Sequence, residues 1–182
     1  MASQLFWGQV PVPYTVAWTD EEPIFLAKCK WANRTAICQV ENRGSGKPKF
    51  GSPHMNRQRQ VIAEGRCDLC GQRLNAATKV SLSQARPVVH AAKAFDILQV
   101  EPLLHRKCAA ICYGHCPSLK RQREDGTLHI RQVFRYQVQF ALYSEEGTFQ
   151  ATGIRQKSIS HAKVQRIKFA DLDLDWLMRG AA

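Results

Sequence analysis

Cys67-Asp68-Leu69-Cys70-Gly71 constrains this chain more than any other feature. Two thiols two residues apart, followed by Gly, make a knuckle whose turn aims both sulfurs at one ion. A second cluster begins 34 residues later, with His105, Cys108, Cys112 and Cys116 at spacings of three, four and four. On a helix, His105 and Cys108 share a face, and Cys112 lies a turn further along it. A closed tetrahedral zinc site needs four ligands. The spacing predicts Zn²⁺ on Cys67, Cys70, His105 and Cys108. Cys116 is the best substitute for His105, with Cys112 and His115 weaker ones. Cys29 and Cys38 read as core thiols. A redox CxxC needs a βαβ context that the flanking residues do not supply.

The opening stretch, MASQLFWGQVPVPYTVAW, has no basic segment leading into an apolar one. It therefore predicts no signal peptide, and no apolar run approaches the roughly 20 residues of a membrane span. Seven cysteines without an export signal suggest a reducing compartment rather than a disulfide scaffold.

Charge points to the partner. The 182 residues hold 26 Lys+Arg against 15 Asp+Glu, a net charge of +11. Residues 1–50 carry six basic and four acidic groups, residues 51–126 twelve and six, and residues 127–182 eight and five. Positive charge and five of the seven cysteines thus coincide in the middle. Around the knuckle stand Arg57, Arg59, Arg66, Arg73, Lys79, Arg86, Lys93, Arg106 and Lys107, followed by Lys120, Arg121 and Arg123. Such a set suits phosphates, so the partner is read as nucleic acid, DNA or RNA, or a nucleoprotein, tracked with little sequence discrimination. A merely solvated surface around a structural metal is the plainer alternative.

The fold class read from these patterns is α+β: a zinc-stabilised treble clef, knuckle hairpin plus helix, packed with an antiparallel β-sheet. Three stretches follow: N-terminal strands or arm at 1–50, a basic zinc-binding module at 51–126, and a C-terminal β-hairpin with a short helix at 127–182, together one compact unit. Strands are predicted in VPVPYTVAW, PIFLAKCKW and RTAICQVE. A helix over PHMNRQRQVIAEG is predicted to be capped by Ser52, with Arg57 and Arg59 on its outer face. A second helix should run from Glu101–Pro102 to about Tyr113, closed by Pro117. Phe134, Tyr136, Val138, Phe140 and Leu142 alternate with polar partners, as in a half-buried strand. Glu145-Glu146-Gly147 reads as its hairpin turn, residues 158–169 as either strand or helix, and ADLDLDWLMRG as a terminal helix. Trp7, Trp18, Trp31 and Tyr14 read as core or interface rather than base-stacking platforms.

The run NRQRQVIAEGRCDLCGQRLNAATKVSLSQARP resembles the opening of the HNH-nuclease treble clef, in which a basic helix leads into a CxxCG knuckle and a hairpin. The family's catalytic histidine position falls on Val80-Ser81-Leu82-Ser83, where no His or Asp stands. Without an imidazole to activate water, phosphodiester hydrolysis has no engine there. His90 serves only if the hairpin is longer. The resemblance therefore implies a scaffold, with no catalytic residues assigned. The pattern CxxCG…EPLLHRKCA…CPSL is also similar to that of small, largely uncharacterised phage and prophage proteins, over roughly residues 45–140. It implies zinc binding, a phage or mobile-element origin, and a cytoplasmic setting in a bacterial host. Two further readings stand beside nucleic-acid contact: a phage-encoded protein–protein adaptor or inhibitor of a host factor, and an atypical metal-dependent nuclease.

Overall fold

Two 15-residue strands form the spine of the fold. The alternating run becomes one strand, His129–Tyr143, and the ambiguous stretch becomes the other, Ser158–Leu172, its antiparallel partner. The computed structural model describes residues 3–74, 77–86 and 97–179.

In chain order, β1 (Leu5–Trp7) and β2 (Val10–Val12) form a small hairpin, and β3 (Val16–Trp18) follows. The hairpin β4 (Ile24–Cys29)–β5 (Arg34–Gln39) comes next, and then β6 (Pro48–Pro53) pairs with β3. Helix α1 (Met55–Ala63) leads into the knuckle. β7 (Lys79–Ser83), β8 (Ile97–Gln99) and the short β9 (Leu104–His105) precede α2 (Arg106–His115) and α3 (Pro117–Glu124). The two long strands are β10 (His129–Tyr143) and β11 (Ser158–Leu172), joined by α4 (Glu145–Thr152), and α5 (Leu174–Met178) follows.

The main sheet runs β4-β5-β11-β10-β7-β9, with β8 also paired to β11. All pairings are antiparallel except β5 with β11, which meet in parallel at Ala36 and Ile159. The fold is thus mixed α+β around a mixed sheet. This sheet draws strands from all three sequence stretches, so the middle stretch shares its core with both flanks. Val61 and Ile62 of α1, Leu69 and Leu74 of the knuckle, Val80 and Leu82 of β7, Ala109 and Ala110 of α2, and Val164 of β11 form one buried cluster.

Several local expectations are corrected. α1 begins at Met55 and is capped by His54, whose Nδ1 accepts from the Arg57 amide, not by Ser52. The first turn of α2 starts at Arg106, because His105 still belongs to β9. Pro117 does not end the helical region. It occupies the first position of α3, where its missing N–H costs nothing. Glu145–Gly147 opens a helix rather than a tight turn: the Ser144 hydroxyl accepts from the Gly147 amide and caps α4. A bulge between Val133 and Arg135 interrupts the alternation of β10, and Phe134 and Leu142 stay more than half exposed. Asp173 caps α5 while Asp171 pairs with Arg131 at 2.6 Å. Trp18 and both Cys29 and Cys38 are buried, whereas Trp7 is exposed.

Candidate metal centre

The knuckle is built by backbone hydrogen bonds that wrap it around Cys67. Cys67 N–H donates to the Gln72 carbonyl at 2.8 Å, and Gly71 N–H returns to the Cys67 carbonyl at 2.9 Å. Gly71 takes φ +69°, a conformation that side-chain-bearing residues rarely adopt. The Tyr14 ring closes against it so tightly that an added Cβ would sit 2.9 Å from the ring. Tyr14 N–H also reaches the Asp68 and Leu69 carbonyls at 2.8 and 3.0 Å. The N-terminal strands therefore buttress the knuckle directly. Asp68, hydrogen-bonded by Thr15, is pushed by burial up to about 6.

The second half of the centre arrives through β9. Pairing of Lys79 with His105 and Val80 with Leu104 sets His105 at the strand end, immediately before the first turn of α2. Asp68 N–H donates to the Leu103 carbonyl at 3.0 Å, which locks this segment to the knuckle. His105 Nδ1 lies 3.5 Å from Cys70 Sγ and 3.8 Å from Cys108 Sγ. His105 N–H points at Cys67 Sγ, 3.5 Å away. The ligand atoms of Cys67, Cys70, His105 and Cys108 all lie within 4.8 Å of one another, so this group can hold a metal ion. These are the four residues that the spacing predicted.

The electrostatics are those of ligands crowded together. The hydrogen bond to Cys67 pushes His105 up to about 9, against its desolvation. The same sulfur, with burial, raises the Cys70 thiol far above its ordinary value. A bound cation would reverse both, since metal ligation requires thiolates and a neutral imidazole. Cys116, the substitute ligand in the sequence reading, is not in the group. It caps the end of α2, two turns beyond Cys108. Cys112 lies between them, its thiol held protonated by burial.

The basic residues divide. Arg57 and Arg59 are not on an outer face: they are 2 % and 1 % exposed. Arg57 makes a two-pronged pair with buried Glu21, both contacts at 2.6 Å, and a third with Glu41 at 2.9 Å. Helix α1 turns both guanidiniums inward: Arg57 satisfies the Tyr14 and Val16 carbonyls and the Glu21 and Glu41 carboxylates, and Arg59 reaches the Ser160 carbonyl of β11. Arg66 is held by Glu64 at 2.7 Å and the Gly71 carbonyl at 3.2 Å. Arg106 lies 4.2 Å over the Trp176 ring and donates to the Trp176 carbonyl, tying α5 to α2. Lys79 is half-buried. Arg73, Arg86, Lys107, Lys120, Arg121 and Arg123 are exposed. Lys93 and His90 lie outside the described residues.

Sequence reasoning missed the Glu21–His54–Arg57 network. Glu21 and Arg57 are 36 residues apart, and no local pattern marks a buried carboxylate. It also missed the buried polar centre where Arg166 donates to the Ser81 hydroxyl at 2.8 Å and Ser81 donates to Gln99. Val80–Ser83, where the nuclease resemblance would put a catalytic histidine, is the buried interior of β7. Among the described residues, no helix is long and apolar enough to cross a membrane. No protein family, curated protein or solved structure matches the chain.

Proposed function

We propose that this chain is a non-enzymatic zinc protein that contacts nucleic acid through a basic face next to the metal. The observation that carries the reading is the four-ligand group. Zinc bonds of about 2.3 Å to sulfur and 2.0–2.1 Å to nitrogen, at tetrahedral angles, imply nitrogen–sulfur edges of about 3.5 Å. The 3.5 and 3.8 Å separations around His105 Nδ1 match that figure. A knuckle supplying Cys67 and Cys70, with His105 and Cys108 at the start of a helix, supports a treble-clef arrangement. Four protein ligands leave no position open for water, as in structural sites.

Nucleic-acid contact rests on five of the exposed residues: Arg73 on the rim of the centre, Lys107 on α2, and Lys120, Arg121 and Arg123 on α3. Among the described residues none of these five makes an ion pair. A mobility-shift titration over a range of salt concentrations tests the reading. Binding to DNA or RNA should weaken linearly in a log–log plot, and each of Arg121→Ala and Arg123→Ala should reduce the slope by about one. Absence of salt-sensitive binding would remove it.

One observation favours a protein partner instead. From Phe134 onward, the second edge of β10 has no strand paired to it among the described residues. Phe134 and Leu142 stand exposed along this strand, and open edges accept strands from other chains. A partner captured from nuclease-treated lysate, and lost on Leu142→Asp, would favour this adaptor reading.

A further inference from the structure

Arg59 is a buried cation held by neutral groups alone. Its guanidinium donates to the Ser160 carbonyl at 2.5 Å, to Asn56 Oδ1 at 3.2 Å and to Cys38 Sγ at 3.4 Å. Its Nε is buried without a hydrogen-bond partner. Among the described residues no carboxylate pairs with it, and Glu41, which lines the neighbouring cleft, is engaged by Arg57. Cys38 does not supply the missing negative charge, because burial raises its thiol and keeps it protonated. Burying a guanidinium without an anion is costly, and an anion brought to Arg59 from outside the chain would offset that cost.

Arg59, though almost wholly buried, is also one of the residues that line a cleft of about 350 Å³ between α1 and the β4–β5 hairpin. That volume lies within the range of small-ligand sites, roughly 300–1,000 Å³. Lys28 adds a further cation to its wall, while Lys30 there is paired with Glu64 at 3.5 Å; the Asn56 and Gln60 amides also line it, donating to the Gln39 carbonyl and to Glu64. Trp31 offers a flat, half-buried indole, oriented by its Nε1–H bond to Glu64 at 3.2 Å, with Lys30 Nζ 4.6 Å from the ring centre. A doubly charged head matches this cationic wall better than a single carboxylate, and a flat tail matches the indole.

We propose that the cleft binds a small phosphate monoester carrying a planar ring, with Arg59 and Lys28 on the phosphate and Trp31 against the ring. This site is separate from the metal centre and stands whether or not the basic face binds nucleic acid.

Phenyl phosphate is the probe, titrated calorimetrically into the intact metal-loaded protein. Saturable one-site binding is expected, at least tenfold weaker for phenol and for inorganic phosphate. Arg59→Gln should weaken it by a similar factor. Because that variant risks misfolding, Lys28→Ala and Trp31→Ala carry the decision: both change accessible side chains, and each should weaken binding by tenfold or more while metal content stays unchanged. Wild-type protein that shows no saturation at millimolar phenyl phosphate would overturn the proposal. So would binding undiminished in the Lys28→Ala, Trp31→Ala double variant.

Discussion

His105 Nε2 lies 3.1 Å from the carbonyl oxygen of Arg73, and this contact decides which ring nitrogen faces the thiols. With Nε2–H donated to that carbonyl, Nδ1 is left with its lone pair toward Cys70 and Cys108. Metal-bound histidines are commonly oriented in this way by a partner on the second nitrogen. The knuckle segment thus supplies both two candidate ligands and the acceptor that orients a third.

Metal content follows. Purified wild-type protein should carry one zinc per chain by elemental analysis, and Cys67→Ser should bring this close to zero. Cys116→Ser should retain full occupancy, since Cys116 lies outside the ligand group. His105→Ala should lower zinc affinity far more than Cys112→Ala does. Equal loss in both would put the fourth ligand elsewhere.

Arg57→Ala should cost about 3–5 kcal/mol in urea unfolding, because it strands the buried Glu21 carboxylate. Arg121→Ala should stay within about 0.5 kcal/mol of wild type, as an exposed side chain without an ion pair. The two arginines look alike in the sequence, so the contrast tests the inward turn of α1.

Acid should destabilise the fold in two stages. Burial, and then the Arg57 charge, hold His54 below the ordinary imidazole value. The unfolded chain therefore takes up this proton first, and stability declines as pH falls below about 6.5. Glu21 is held below the usual carboxylate range by hydrogen bonds from Arg57, Asn42 and Trp18, which outweigh its desolvation. Its contribution is complete above about 4.3 and is lost as pH falls through its lower folded value. Urea midpoints measured from pH 8 to 4 should show a shallower decline between pH 7 and 5 in His54→Gln than in wild type. Parallel curves would argue that His54 is not the titrating group.

Gly71→Ala should destabilise by about 1–3 kcal/mol, from the positive φ together with the forced contact with the Tyr14 ring. Tyr14→Ala should cost stability on its own through lost packing on the knuckle. In the double variant the two costs should be less than additive, since removing the ring removes the clash. Strict additivity in thermal unfolding would show that the ring and the glycine are not in contact.

The candidate metal-holding group was legible because its signal is local. Cys67 and Cys70 share one turn, and His105 and Cys108 share another, so spacing alone narrows the geometry of each pair. Their meeting was inferable only because four soft donors in a chain of this size need one another. The long strand at 129–143 was legible through its period of two, though the bulge after Val133 was not. What 158–169 becomes was undecidable locally, since only pairing with β10 makes it a strand.

The sequence by itself determined the candidate ligand group, the mixed α+β character and the excess of positive charge, because these depend on residue type and on spacings of a few residues. The tertiary structure alone decided which of those charges face solvent. Arg57 and Arg123 have the same intrinsic chemistry. One is buried because the 3-10 turn Thr19–Glu21, which follows β3, delivers Glu21 to it from 36 residues earlier, and the other is exposed because it stands on α3, a helix with no buried residue among those described. Burial of a charge depends on a partner brought from far along the chain, and no window of neighbouring residues contains that information.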